Sequence, residues 1–424
     1  MTPAWGVDGA RLLERLASLA AVGADRRGGL TRTAFGPAFV EARTLVAAWC
    51  RQAGLEVGVD PVGNLVARYG PPAPARVVVV GSHLDTVERA GPLDGAYGVL
   101  AGLAALEALA GAQATPPCGV VLAGFVNEEG AGGTTAMTGS RALAGRLDPA
   151  ALDERDGEGA CLRDLLGRIG GDPDRVAAAA LPAGSIAAYL ECHVEQGPVL
   201  EARGDRIGVV SAISGRALLD AELVGSGGHA GTTPMGTRHD ALVAAARLVL
   251  AVEDVAGPRG ARVATSGAVS VEPGTRNQIP ERARLLVELR DDDTRAMARA
   301  IETLRRAGRQ IAEATGVCVR LSLVDLVEPS PTDSALRADI ARAATRLGLA
   351  HSALPSGAGH DAQSFAGIAP IGMVFVPSVG GRSHVPDEAT APEDLVAGAE
   401  VLAETLQAVL GRSPGAFEPG GAGR

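Results

Sequence analysis

The sequence predicts an α/β protein: a mostly parallel, layered sheet that binds metal, interrupted by an inserted α+β domain of ferredoxin-like order. Three observations carry this. Four short runs, Arg76–Val80, Gly119–Val126, Ala187–Cys192 and Ile368–Val376, are apolar on both faces, as buried parallel strands are. Helical stretches such as Ala96–Ala112 alternate with them. Each run is followed closely by metal-capable residues: His83 and Asp85, then Glu128 and Glu129, then His193 and Glu195, then His384. Open α/β sheets carry their sites outside the carboxyl ends of their strands, so these strand ends point to one centre.

The elements follow in chain order. Asp8–Leu16 carries charges at helical spacing, which marks an amphipathic helix and not a signal peptide. The texture changes between Ile213 and Glu328. There Ala217–Val224 alternates like a half-buried strand, Asp240–Val255 reads as a helix, and Ala264–Val271 and Arg284–Arg290 read as two strands. Thr294–Thr315 is a second helix and Val317–Val327 a closing strand. The expected division is a catalytic domain of residues 1–212 and 329–424 around an inserted domain of 213–328. The tail from Gly411 to Arg424 is rich in Gly and Pro and is expected to fray.

Composition narrows the function. A net charge of −10 argues against a nucleic-acid partner, whose binders carry a basic patch. No apolar run approaches the ~18 residues of a membrane span. Five cysteines, an odd number without a Cys-x-x-Cys pair, suit a reduced cytoplasmic protein with no disulfide framework.

In Gly81-Ser82-His83-Leu84-Asp85-Thr86 a histidine at a strand end can bind a transition metal through one ring nitrogen. Asp85 is spaced to accept the other ring N–H and fix the tautomer. Alone, the pattern also suits an ordinary hydrogen-bonded loop histidine. Asp94 precedes a helix and would serve as a plain N-cap, yet its two oxygens can cap and also bridge two metals. Asn127-Glu128-Glu129-Gly130 sets two carboxylates side by side. A solvated loop tolerates their repulsion; beside a metal, one ligates and the other takes a proton from the attacking water. With His193 in Glu191–Gly197 and His384 in Arg382–Pro386, the set His83, Asp94, Glu129, His193 and His384 is complete. Three imidazoles and two carboxylates suit zinc, or manganese or cobalt.

These motifs resemble the M20 metallopeptidase-like amidases, in the branch of N-carbamoyl-L-amino-acid hydrolase, allantoate amidohydrolase and β-ureidopropionase. The matching stretches are Gly81–Val87, Asp94-Gly95, Asn127–Gly130, His193–Gly197, His229–Met235, Ser356–Ala362 and Ser383–Pro386, in family order along nearly the whole chain. The resemblance implies two divalent metal ions per subunit. Asp94 would bridge them, His83 and His193 would complete one site, and Glu129 and His384 the other. It implies Glu128 as catalytic base, with Asp85 orienting His83. His229 would act beside the amide carbonyl in a neighbouring subunit's site. That would make the enzyme a homodimer through a lid and dimerisation domain, with strand Ala217–Val224 and helix Asp240–Val255 as the shared surface. Asn277 and Arg290 would hold the substrate carboxylate, with Gln196 and Gly359 as further contacts. An arginine fork pairs both carboxylate oxygens, although Arg290 among acids also fits a plain surface ion pair. His193, where peptidases of the family carry a carboxylate, favours the carbamoylase branch.

The implied reaction removes a carbamoyl group from an N-carbamoyl-L-amino acid or similar ureido carboxylate, releasing ammonia and carbon dioxide. Allantoate is the alternative substrate. An aminoacylase or dipeptidase, and a non-catalytic binding protein, are the remaining readings. The chain departs from the family at Glu88–Pro92, at Gly130–Gly133 where an Arg-Phe pair is usual, and at Glu281 where Gly is usual. None of these is a proposed ligand; they bear on the preferred substrate side chain.

Overall fold

The computed structural model describes residues 6–113, 115–257 and 261–412. Most of the tail expected to fray lies outside them. Contacts divide the chain into two compact units. The first takes in the chain to Ser211, Thr332–Leu354 and the chain from His360; the second is Ala212–Pro331 with Pro355–Gly359.

The first unit is built on a mixed sheet in the order Glu56–Val59, Leu65–Tyr69, Gly119–Phe125, Val77–His83, Ile186–Val194, Ile371–Val376, Ile207–Ile213, with His351–Ser356 beside the last. The four strands from Gly119–Phe125 to Ile371–Val376 are parallel, and the flanking ones antiparallel. Every residue of those four is buried, which is why they read as unbroken apolar runs. Two of them extend past the runs to take in His83 and His193 themselves. From Val77–His83 the chain goes to Gly119–Phe125 on one side and then to Ile186–Val194 on the other. This leaves a switch point at the strand ends, where α/β sheets form clefts.

Helices Ala96–Gly111 and Pro392–Leu410 pack on the central strands and on each other. Ala96–Gly111 is apolar nearly all round, as a buried helix is. Its small residues allow close approach: a Cβ at Gly98 would stand 2.2 Å from the Cys192 carbonyl oxygen. The amphipathic N-terminal helix spans Gly9–Ala20, buries Leu12, Leu16 and Leu19, and is capped by the Asp8 side chain.

The second unit has its own core. Its elements run strand, helix, strand, strand, helix, strand, and its antiparallel sheet has the order Cys318–Val327, Gly215–Val224, Arg282–Asp291, Val263–Glu272. One sheet face, with Ala217, Leu219, Ala221 and Leu223 beside Ala283, Leu285, Val287 and Leu289, is covered by helices Ala241–Asp254 and Thr294–Thr315. Asp240 and Asp293 cap these helices with their side chains. The outward face of Ala241–Asp254 leaves Leu242, Val243, Val249 and Leu250 exposed. Strand Gly215–Val224 is hydrogen-bonded on both sides, so it offers no edge to another chain. The alternation read at Ala217–Val224 reports its helix-covered face; the outer strands are Val263–Glu272 and Cys318–Val327. No helix among the described residues is long and apolar enough to cross a membrane.

Candidate metal centre

Strand Val77–His83 ends on His83, and its parallel neighbour Ile186–Val194 carries His193 one residue from its end. Asp94 lies just before helix Ala96–Gly111 and reaches both rings. Its Oδ1 stands 3.4 Å from Nε2 of His83 and 3.2 Å from Nε2 of His193. Gly95 makes room: its φ is 65°, and a Cβ there would stand 2.4 Å from the His83 ring. On the other side, Oδ2 of Asp94 is 3.0 Å from Nε2 of His384, which is 3.3 Å from Oε1 of Glu129. Two donor sets result, His83–Asp94–His193 and Asp94–Glu129–His384, each with its ligand atoms within 4.8 Å of one another. Asp94 belongs to both.

The hydrogen bonds show that these residues suit a divalent cation. Nδ1 of His83 donates to the Asp85 carbonyl oxygen and Nδ1 of His193 to the Val194 carbonyl oxygen, each at 2.9 Å. A carbonyl can only accept, so both neutral rings carry their proton on Nδ1 and turn an Nε2 lone pair toward a carboxylate oxygen. Although the Gly95 N–H also reaches Nε2 of His193 at 3.3 Å, two buried lone pairs facing one anionic oxygen favour extra protons or a metal ion between them. Electrostatics agree. Burial would raise the Asp94 carboxyl, but its bonds to His193, His384 and His83 hold it well below the usual carboxylate range. Burial opposes charge on His83 and His193, yet Asp94 lifts both above the ordinary imidazole value. His384, bonded to Asp94 and Glu129, is pushed up to about 10. A cation taking the place of these protons is the exchange that such sites perform.

Asp85 orients His83 differently from the sequence expectation. Its backbone carbonyl takes the ring proton, and its buried carboxylate instead accepts the N–H groups of Glu128 (3.2 Å) and Glu129 (3.3 Å). Spacing alone does not tell which oxygen of a residue faces a ring. Asn127, at φ 60°, anchors the same loop through Thr134, Thr135, Thr138 and Ala131. The Glu128 carboxylate makes no hydrogen bond among the described residues, yet lies in a donor group with His83 and Glu129. Burial, with Asp361, Glu129 and Asp85 nearby, pushes it well above the carboxylate range despite the opposing pull of His83.

Gln196, read as a substrate contact, also serves the centre: its Nε2 donates to Oδ2 of Asp94 at 2.8 Å, from a backbone φ of 61°. Residues missed in the sequence line the centre from behind. Glu388 is buried and accepts from the backbone of Leu93 and Asp94 and from the Ser383 hydroxyl. Glu191 accepts from Ser82, Tyr189 and the Ala362 N–H, beneath His193. His360 sets its ring edge-on to His193 at 4.6 Å. Glu388 had one signal, an acid four residues after His384.

The remaining predicted residues, His229, Asn277, Arg290 and Gly359, lie in the second unit. The Gly231 N–H donates to Nδ1 of His229 at 3.0 Å, so the neutral ring carries its proton on Nε2 and presents a donor. Arg238 bonds the Ala230 and Thr233 carbonyls and holds this loop. Asn277 accepts from Ala230 and so lies beside His229. Arg290 is engaged by Glu288 at 2.5 Å and by the Gly357 carbonyl at 2.9 Å, an ion pair with a nearby acid. It sits far along strand Arg282–Asp291, whereas Gly228–His229 pairs with Gln278–Ile279 in a separate two-stranded ladder past the Arg282 end. At 3.3 Å per residue, the eight steps from Arg282 to Arg290 span roughly 26 Å. Arg290 therefore lies at the far end of that strand from the His229–Asn277 pair of the same chain.

Known proteins resemble the chain over nearly its whole length. Residues 79–408 match the family model of Peptidase family M20/M25/M40. The chain is 39% identical over 401 residues to an N-carbamoyl-L-amino acid amidohydrolase of Geobacillus stearothermophilus, covering 94% of this chain and 98% of that one. It is 35% identical over 396 residues to the allantoate amidohydrolase of Escherichia coli, covering 93% and 96%. A solved hydantoinase/carbamoylase family amidase from Burkholderia multivorans superposes with a TM-score of 0.88 at 36% identity, covering 97% of this chain and 100% of that one.

Proposed function

We propose that this chain, which belongs to peptidase family M20/M25/M40, removes the carbamoyl group from an N-carbamoyl-L-amino acid or a similar small ureido carboxylate. It is a hydrolase of amide C–N bonds. The observation that carries the reading is Asp94 shared between two imidazole–carboxylate donor sets, with the unengaged Glu128 carboxylate beside them. We assign one divalent ion to His83, Asp94 and His193 and a second to Asp94, Glu129 and His384, with zinc first and manganese or cobalt as alternatives. Such ions, when bound, polarise the scissile carbonyl and make water more acidic.

The chain's own residues do the rest. Glu128 takes a proton from the water that attacks the carbamoyl carbon and returns it to the leaving nitrogen as the C–N bond breaks. The products are the free amino acid and carbamic acid, which falls apart into ammonia and carbon dioxide. Nε2–H of His229 donates to the carbonyl oxygen as negative charge grows there. Arg290 fixes the substrate carboxylate. The free cysteines suit a reducing, cytoplasmic setting.

One panel tests the reading: ammonia release from N-carbamoyl-L-amino acids, β-ureidopropionate and allantoate, beside hydrolysis of N-acetyl amino acids and dipeptides. Carbamoyl amino acids are expected to lead. Chelation is expected to abolish turnover, and zinc, manganese or cobalt to restore it. Activity confined to dipeptides would overturn the substrate assignment, and full turnover by rigorously metal-free protein would overturn the metal assignment.

The distance along strand Arg282–Asp291 supports a homodimer, in which His229 and Asn277 of one chain serve the site that holds the other chain's Arg290. The exposed helix face of Leu242, Val243, Val249 and Leu250 and the outer strand Val263–Glu272 are the surface we assign to that contact. Mixing inactive Glu128→Gln and inactive His229→Ala chains under subunit exchange should return activity, because a mixed dimer then holds one site with neither defect. Stable mixed dimers without activity would mean that His229 acts in its own chain or not at all.

A further inference from the structure

We infer that Glu388 is a positioning residue that locks the loop of Asp94 to the loop of His384 and thereby builds the Asp94–Glu129–His384 set, an inference that rests on the two-ion reading above. Glu388 is 4% exposed and spends both oxygens on these loops. Its Oε2 accepts the Leu93 N–H at 2.9 Å and the Asp94 N–H at 3.1 Å, and its Oε1 accepts the Ser383 hydroxyl at 2.7 Å. Ser383 adjoins His384, so one carboxylate ties together two ligand-bearing segments 289 positions apart in the chain. The packing is tight: a Cβ at Gly91 would stand 2.2 Å from the Glu388 Cβ.

The two donor sets depend on this tie unequally. His83 and His193 are buried at strand ends, and each is pinned by its Nδ1 bond to a carbonyl. The His384 side chain is 46% exposed, sits on a loop residue with φ 58°, and has no Nδ1 hydrogen bond among the described residues. Its ring is met at Nε2 only by the carboxylates it would share a metal with, Asp94 and Glu129, and its backbone is steadied by Glu388 through Ser383. The Asp94 side chain keeps its bonds to Gln196 and the two buried histidines without Glu388. The Ser383 hydroxyl also lies 3.2 Å from Oδ2 of Asp94, so losing Glu388 loosens the second set without abolishing it and leaves the first.

The test is zinc binding by calorimetry and metal analysis, with thermal unfolding alongside, on the full chain as wild type, Glu388→Ala and Glu388→Gln. Wild type is expected to bind two ions. Glu388→Ala should keep one at wild-type affinity and bind the other about 10- to 100-fold more weakly, the usual effect of losing a partner that orients ligands. Glu388→Gln keeps an acceptor for the two backbone donors and should restore part of the loss; it also serves as the readout if the alanine variant does not fold. Two ions at wild-type affinity in the variants would overturn the inference. So would equal weakening of both ions, since Glu388 would then be a general prop. A wild type that binds a single ion would defeat the two-ion reading itself, and the inference with it.

Discussion

Replacing Glu128 with glutamine is expected to leave metal uptake intact and to lower kcat by about 10²- to 10⁴-fold, the usual contribution of a positioned general base. The amide matches the carboxylate in size but cannot take a proton from water. Among the described residues Glu128 makes no side-chain hydrogen bond to lose, and Asp85 holds its backbone from the Glu128 N–H, so the loop should keep its shape. KM should change little, since the proton moves only as the carbonyl is attacked. Metal analysis beside kcat and KM is the check. If Glu128→Gln loses an ion while Glu129→Gln keeps both, the roles within the pair are reversed.

Asp94→Ala is expected to be the more severe change. Asp94 contributes to both donor sets, so its loss leaves each one ligand short. Both ions should bind far more weakly, and turnover should fall by at least about 10³-fold, since several kcal/mol of charge stabilisation is lost at 1.36 kcal/mol per tenfold. His83→Ala, by contrast, takes a ligand from one set only. Metal content after desalting separates the cases: an Asp94→Ala chain that holds two ions like wild type would remove Asp94 from the bridging role. Asp94→Asn sharpens the comparison, because it keeps the shape but presents a single neutral oxygen.

The parts of this centre that stood open in the sequence are those where one signal had one cause. His83 and His193 were legible because the apolar runs of fully buried strands stop close to them. Asp94 and the Glu128–Glu129 pair followed from their places after a strand or before a helix. The antiparallel strands Glu56–Val59 and Leu65–Tyr69 were missed, being short and mixed in polarity. Glu388 was missed because its backbone partners Leu93 and Asp94 meet it only through the fold, Leu93 at a separation of 295 positions. Ala217–Val224 showed through alternation that one face is buried, but alternation is the same for an inner strand and an edge strand. Arg290 and His229 were each well marked, yet their separation follows from the length of strand Arg282–Asp291, and residue types do not encode that length.

That length has a consequence for how the protein would behave in dilute solution. A lone chain whose strand keeps Arg290 apart from His229 and Asn277 would own two half-sites and no whole one. Specific activity should then fall as the protein is diluted through its dissociation constant, and recover on concentration without any change in metal content. Where two alleles are expressed together, a damaged Glu128 from one and a damaged His229 from the other could still share out one intact site. Each chain's output would depend on the abundance and soundness of its neighbours.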